Sequence, residues 1–307
     1  MRVGLDFSGV DSPLFVLPSY IDHVFSCEVD KTATAVLLTN HSPTHFYPDI
    51  TKRDHSKVPD VDLYVAGFPC TSWSTMGQRK GRGDPRGRLF DHVLAYLTAK
   101  RPPKFILENV AALVKRSFFP TILSSLRALG YNVEHHVLNT RDFGLPQHRE
   151  RVYIVGSLST LPILDFPVVP HQFTLAQLYK EEDRPVVYLT AFQQRNVDTI
   201  VQRMKKRGWD LSRPQLLDPQ RSPNWTRIPP GDGVSPCLTT KAARFLWYCE
   251  DDQGEPLPHC RLSARDALSL QGLKNLNQAG KSRGQIIKLA GNAMSTTVLS
   301  LLFQQLV

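Results

Sequence analysis

Short apolar segments alternate with helical ones throughout the first half of the chain, and this alternation most narrows the folds open to it. Apolar stretches at residues 2–7, 23–29, 62–68, 105–107 and 151–155 predict β-strands, with helical patterns between several of them. Such alternation indicates βαβ units and a mainly parallel sheet, so we expect an α/β fold. Ligands bind beyond the carboxyl ends of such strands. Polar residues at these strand ends are therefore candidate site residues: Glu28, Cys70 and Glu108.

The α/β pattern stops after Gly156, where Pro162, Pro167 and Pro170 interrupt it. Residues 171–245 hold 12 Lys or Arg against 7 Asp or Glu. This excess of five positive charges is more than half of the formal net charge of +9. Residues 190–207 predict one basic helix. Helical order returns at Ser263, a predicted N-cap. A second region is therefore expected to interrupt the first.

Composition limits the class of protein. The pI of about 9.4 favours a polyanionic partner. The five cysteines form no CxxC pair, so we expect neither a disulfide scaffold, nor a zinc knuckle, nor any other metal site. The apolar runs fall short of the roughly 20 residues of a membrane span, so no membrane association is expected. An intracellular location follows, without a specific compartment.

Cys70 directly follows a predicted buried strand in the segment Gly-Phe-Pro-Cys. An inert core position is the ordinary reading of a lone cysteine, but its flanks favour a functional one. Pro69 restricts the backbone before Cys70, and a run of small polar residues follows it. Residues 76–88 then hold four glycines and five basic residues. This composition is typical of a loop that closes over a phosphate backbone.

Two further segments carry charge at strand ends. Glu108 ends an apolar strand, where an acid is costly without a partner or a task. Gln147, Arg149 and Arg151 precede and begin another strand, on which alternate residues share one face. The sequence thus predicts that these three side chains point the same way, either towards a site or on an exposed edge.

Taken together, these segments resemble the (cytosine-5) DNA methyltransferase family. Gly-Phe-Pro-Cys is similar to its nucleophile motif, and residues 86–90 to the segment after it. Glu-Asn-Val at 108–110 and the QxRxR pattern at 147–151 also match, in the family's order. Residues 261–272 and 291–294 resemble its last two motifs.

The resemblance implies a Rossmann-like S-adenosylmethionine-dependent methyltransferase fold with a small inserted target-recognition domain. The catalytic domain is expected at 1–157, the recognition domain at 158–260, and the return to the catalytic domain at 261–307. The implied cofactor is S-adenosylmethionine, with S-adenosylhomocysteine as product and no metal. The residues that match cofactor-binding positions are Phe7, Gly9, Glu28, Asp49, Ile50, Pro69, Leu89 and Asn292.

The resemblance also implies the chemistry. The Cys70 thiolate would attack C6 of a cytosine flipped out of duplex DNA, which activates C5 for methylation. Glu108 would hold a proton at N3. Arg151 would contact the base O2, and Arg149 would support Glu108 and the closing loop. A monomer acting on double-stranded DNA is the expected form.

Departures from the family pattern leave alternatives open. Asp11 and Ser12 stand where the family usually has two glycines, and a carboxylate there could weaken binding of a cationic cofactor. A catalytically degenerate DNA-binding homologue is therefore one alternative. A transfer-RNA methyltransferase is another, although Cys237 and Cys249 are not followed by the Phe-Thr of that branch. An unrelated dinucleotide oxidoreductase is a third alternative, but this sequence lacks a full GxGxxG, and that interpretation leaves Gly-Phe-Pro-Cys unexplained.

Overall fold

The structure, a computed structural model, describes residues 1–69, 89–180, 184–220 and 233–306. The chain forms two compact units. The first comprises residues 1–138, 150–166 and 294–307, and the second comprises 139–149 and 167–293. The chain returns to the first unit at residue 294.

Strands and helices alternate as the sequence indicated. The strands are β1 (Arg2–Asp6), β2 (Asp22–Cys27), β3 (His45–Tyr47), β4 (Leu63–Ala66), β5 (Lys104–Val110), β6 (Asn132–Asn139), β7 (Glu150–Ser157), β8 (Gln215–Leu217), β9 (Leu246–Tyr248) and β10 (Cys260–Arg261). The helices are α1 (Lys31–Asn40), α2 (Leu89–Lys100), α3 (Phe119–Ala128), α4 (Leu175–Lys180), α5 (Ala191–Lys205), α6 (Ala264–Ser269), α7 (Arg283–Asn292) and α8 (Thr296–Leu306).

The first unit is built on a seven-stranded sheet in the order β3-β2-β1-β4-β5-β7-β6. Strands β1 to β5 pair in parallel, and β7 runs antiparallel to β5. The strand order reverses between β1 and β4, since the chain builds outwards from β1 to β3 and then resumes on the other side. Open α/β sheets bind ligands at the carboxyl ends of the strands beside such a reversal. The fold class predicted from the sequence is confirmed.

A large apolar core packs on one face of this sheet. Its aromatic members are close enough for edge and tilted ring contacts, including Tyr64 with Tyr96 at 4.6 Å between ring centroids. Gly4 and Gly156 allow this packing, because a Cβ at either position would lie about 2.1 Å from the ring of Phe25 or Phe105. The sheet is therefore covered by rings that leave no room for side chains at these two positions.

The second unit contains a small antiparallel sheet in the order β8-β9-β10. Helix α5 packs Val197, Ile200 and Met204 against Leu217 and Leu246 of this sheet. A capping box formed by the N-cap residue of α5 and Gln193 fixes where the helix begins. The basic helix predicted at residues 190–207 is thus present, with one face buried.

Residues 261–293 belong to the second unit because their polar side chains are bound within it. The carboxylate of Asp266 accepts both guanidinium nitrogens of Arg184 and, at 3.0 Å, the indole N–H of Trp247. Arg283 donates to the carbonyls of Leu262 and Ala243 at 2.8 and 2.6 Å. These contacts bind residues 261–293 to the rest of the second unit.

One described segment, Arg283–Leu306, is long and apolar enough to cross a membrane by length and composition alone. It is interrupted between α7 and α8, and 72% of its apolar window is buried inside the protein. Core helices meet the same criterion.

Candidate active site

The loop after β1 is fixed to the end of β2 by a carboxylate. Gly9 donates its backbone N–H to Glu28 Oε2 at 2.7 Å, and the N–H of Asp30 donates to Oε1 at 2.7 Å. Burial raises the pKa of Glu28 above its usual range, and the two backbone donors oppose that rise. Each oxygen keeps a lone pair. Glu28 is therefore placed to accept further hydrogen bonds from a ligand.

Backbone conformation at this loop is unusual. Phe7 and Gly9 both adopt positive φ, of 53° and 58°. Glycine enters this region freely, whereas an aromatic residue there is strained. A Cβ at Gly9 would have nothing within 4 Å, so space is open beside the loop. Strain and open space at the reversal of strand order are features of a ligand site.

A pocket of about 740 Å³ opens next to this loop. Its lining residues are Glu28, Val29, Lys31, Thr34, Ala35, Phe46, Tyr47, Pro48, Asp49, Lys52, Arg53, Asp54 and Lys57. Asp49 caps the short helix Ile50–Lys52 and accepts from the N–H and hydroxyl of Thr51, contacts that lower its pKa. Val29 is 72% exposed at the rim. Carboxylates beside uncovered apolar side chains suit a ligand with hydroxyl or amino groups and a flat ring.

A second group of polar side chains lies at the end of β5. Glu108 Oε1 is 3.2 Å from Nε of Arg151, which stands near the start of β7. The Asn109 side chain donates to the carbonyl of Phe68 at 3.0 Å and so fixes the backbone just before Pro69. Glu108 and Arg151, two of the sequence-predicted site residues, are thus brought together. Cys70 and the glycine-rich basic loop after it lie outside the described residues.

Arg149 is held differently. Its side chain is buried in the second unit, where it donates to the carbonyls of Leu238, Gly291 and Ala293 at 3.0, 3.3 and 2.6 Å. Strand β7 begins at Glu150, so Arg149 precedes it and does not share a strand face with Arg151. The carbonyls it binds flank Asn292, which is exposed at the end of α7. Arg149 therefore fixes the turn that carries Asn292.

Comparison with known proteins identifies the family. The family model for C-5 cytosine-specific DNA methylase matches residues 4–307. The chain belongs to this family. The type II methyltransferase M.HaeII of Haemophilus aegyptius is 33% identical over 90% of this chain and 83% of its own length. M.NlaIV of Neisseria lactamica is 43% identical, over 48% of this chain. That match spans only 37% of M.NlaIV.

Solved structures confirm the C-5 methylase fold. The Dnmt2 methyltransferase of S. pombe superposes with a TM-score of 0.73 over 99% of this chain and 97% of its own, at 18% identity. The methyltransferase EhMeth of Entamoeba histolytica gives 0.71 over 100% and 97%, at 15% identity. At such identities the likeness concerns the fold alone.

The pocket fits the cofactor of C-5 methylases, S-adenosylmethionine. Glu28 and Asp49 supply carboxylate acceptors to its lining, and Val29 supplies exposed apolar surface. Ile50, which follows Asp49, is buried, while Leu89 begins α2. Among the residues that the structure describes, no group of three or more His, Cys, Asp or Glu is arranged to hold a metal ion.

Sequence reasoning missed several pocket residues. Val29 and Tyr47 line the cavity but lie in none of the motifs that the sequence analysis singled out, so they were not predicted as site residues. An apolar residue directly after Glu28, in an otherwise polar turn, was the available signal for Val29. Arg53 had no signal at all, because its partner Asp6 lies 47 residues away in sequence.

Proposed function

We propose that this C-5 methylase transfers a methyl group from S-adenosylmethionine to C5 of a cytosine flipped out of duplex DNA. The by-product would be S-adenosylhomocysteine. Double-stranded DNA is the proposed macromolecular partner, and the protein would act as a monomer without a metal ion. The second unit, with its basic residues, would provide target recognition.

The ion pair between Glu108 and Arg151 is the observation that supports this function most directly. A carboxyl group that exchanges a proton with a ring nitrogen needs a neighbour that fixes its orientation. Arg151 Nε lies 3.2 Å from Glu108, and both side chains are almost buried, at 15% and 11% exposure. Such a pair is well suited to one edge of a pyrimidine, with Glu108 at N3 and Arg151 at O2.

The reaction would begin with attack of the Cys70 Sγ thiolate on C6 of the cytosine. The new S–C bond pushes electron density towards C5, while Glu108 holds a proton at N3. The cofactor supplies an electrophilic methyl group on its sulfonium. Once C5 has taken the methyl group, its proton would pass to water and Cys70 would leave as the thiolate, which restores the aromatic ring and frees the enzyme.

Arg149 has a positioning role in this proposal. It would hold the turn that presents Asn292, a candidate contact of the cofactor, in place of the support for Glu108 that the sequence suggested. Asp11, which favoured a degenerate homologue, directs its carboxyl to Ser26 of β2, where it is fully buried. Asp11, the residue that argued against activity, is thus held by a hydrogen bond inside the protein.

Transfer of a labelled methyl group tests the function. Purified protein would be incubated with labelled S-adenosylmethionine and either unmethylated duplex DNA or bulk transfer RNA. Cys70→Ala is the control. We expect label in DNA at cytosine C5 and none with the variant. Label in RNA alone would overturn the DNA substrate. No label in either, from a folded protein that binds DNA, would support the degenerate alternative.

A further inference from the structure

A buried ion pair joins the end of β1 to Arg53, a residue that lines the pocket. Arg53 donates from Nη1 to Asp6 Oδ1 at 2.6 Å and from Nη2 to Oδ2 at 2.5 Å. The Tyr64 hydroxyl donates to the same Oδ2 at 2.6 Å. The side chains of Arg53 and Asp6 are 4% and 0% exposed. Two parallel hydrogen bonds in such a setting fix the guanidinium in one orientation.

We propose that Arg53, through Asp6, is the positioning residue that sets the adenosine-binding wall of the pocket. This inference rests on the proposed function, because it takes S-adenosylmethionine as the ligand. Neither residue belongs to a motif that the sequence pointed to. Asp6 ends β1 and directly precedes the strained Phe7, so the pair holds the start of the cofactor loop. Arg53 itself lines the pocket.

The part of the pocket lining around Arg53 contains only short secondary-structure elements. It consists of two single-turn helices, Ile50–Lys52 and His55–Lys57, with Arg53 between them. Turns this short do not persist alone, since a first turn fixes several residues for a single hydrogen bond. Arg53 connects them, because its Nε also donates to His55 Nδ1 at 3.3 Å. The position of Asp49 in the pocket therefore depends on where Arg53 is held.

Aromatic rings complete the seat of the guanidinium. The Cζ of Arg53 lies 5.4, 5.3 and 5.5 Å from the ring centroids of Phe25, Tyr47 and Tyr96. Tyr47 also lines the pocket. A planar guanidinium can bond Asp6 and stack on rings at the same time, whereas a lysine ammonium cannot. The seat is thus specific for arginine, and charge alone would not reproduce it.

The experiment compares Arg53→Lys with the wild type in direct binding of labelled S-adenosylmethionine by equilibrium dialysis. We expect Kd to rise roughly tenfold or more, because the fork and the stacking are lost while the charge remains. In methyl transfer the KM for the cofactor should rise with it, while kcat at saturating cofactor stays within about twofold. Asp6→Leu/Arg53→Leu, which leaves no unpaired buried charge, should weaken binding similarly.

Arg184→Lys is the matched control. Arg184 also forms a buried two-bond pair with an aspartate, Asp266, and lies over the rings of Tyr179 and Trp247 at 5.6 and 5.3 Å. Arg184→Lys should lower Tm about as much as Arg53→Lys does, but it should leave the Kd for the cofactor within about twofold of the wild type. This control separates positioning of the pocket from a general loss of stability.

The inference is overturned if folded Arg53→Lys and the double variant bind the cofactor as the wild type does. It is also overturned if Arg184→Lys weakens binding equally. A wild type that binds the cofactor but methylates neither nucleic acid contradicts the proposed function alone, since Kd still tests Arg53. A wild type that binds no cofactor overturns both.

Discussion

Ser26 in β2 donates its hydroxyl to Asp11 Oδ2 at 2.7 Å, and the Asp11 side chain is fully buried. The backbone of Asp11 is left-handed, with φ of 55°. His23 Nε2 lies 3.7 Å from the same oxygen and 2.7 Å from Ser26 Oγ. Burial raises the pKa of Asp11 to about 8, so its neutral form predominates at pH 7. The negative charge expected beside a cationic cofactor is therefore largely absent.

The raised pKa of Asp11 predicts a pH-dependent stability. In the unfolded chain the pKa is near 3.8, so folding takes up a proton between that pH and about 8. The contribution of Asp11 to the free energy of unfolding is fully present below pH 3.8 and is lost as pH rises through about 8. Relative to Asp11→Asn, the wild type should lose about 1 kcal/mol per pH unit between pH 5 and 8. Urea denaturation across this range measures it.

Asp22→Asn is the control for that experiment. Asp22 is an exposed carboxylate in β2, the strand that also contains Ser26. Its free energy of unfolding should follow the wild type within about 0.5 kcal/mol at every pH. A constant difference between Asp11→Asn and the wild type from pH 5 to 8 would mean that Asp11 is ionised in the folded protein.

Glu108→Gln keeps the size of the side chain and removes its acid. We expect kcat for methyl transfer to fall by about 100-fold or more, because a proton at N3 is no longer exchanged. The Kd for S-adenosylmethionine should not change, since Glu108 is absent from the lining of the pocket. Single-turnover kinetics and equilibrium dialysis give the two values. A rate close to that of the wild type would remove Glu108 from the mechanism.

Arg149 and Arg151 should respond differently to the same substitution. Arg149→Lys breaks contacts to three buried carbonyls, so we expect stability to fall by about 3 kcal/mol. Arg151→Lys should cost about 1 kcal/mol or less and slow methyl transfer about 100-fold. Thermal unfolding and initial rates, measured on both variants, make the comparison. Similar losses of stability in the two would contradict the separate roles.

Gly291 allows helix α7 to approach the backbone of Thr239 more closely than a residue with a Cβ could. A Cβ there would lie 2.4 Å from the carbonyl carbon and oxygen of Thr239. Gly291→Ala should therefore destabilise the protein by about 1–3 kcal/mol. Gly284→Ala, in the same helix but with nothing within 4 Å, should stabilise it by about 0.5–1 kcal/mol. Denaturant midpoints of the two variants decide, and the same sign in both would contradict the packing argument.

Local signals allowed much of the first unit to be predicted. The apolar stretch at residues 2–7 predicted a strand, and β1 is observed at Arg2–Asp6. Ser263 caps α6 through a capping box with Asp266, as its spacing indicated. Glu28 directly follows β2, and Glu108 lies near the end of β5, each next to the apolar run that predicted its strand. In each case a few neighbouring residues contain the whole signal.

Features that depend on distant parts of the chain were not predictable. Strand β6 has the sequence NVEHHVLN, which is too polar to indicate a strand, and pairing at the edge of the sheet supports it. Arg149 and Arg151 are two residues apart, yet they belong to different units. Nothing in their local pattern marks that division, because the carbonyls that hold Arg149 follow it by 89 residues or more.

The antiparallel pairing of β7 with β5 makes the Glu108–Arg151 ion pair depend on the register of the two strands. Arg151 is opposite Val110, and Glu108 lies two residues along β5, on the same face. Side chains alternate between faces, so one residue inserted just before Val152 would turn the arginine away while the strand still formed. Insertions between β5 and β7 are therefore compatible with the ion pair only when the register of the two strands is unchanged.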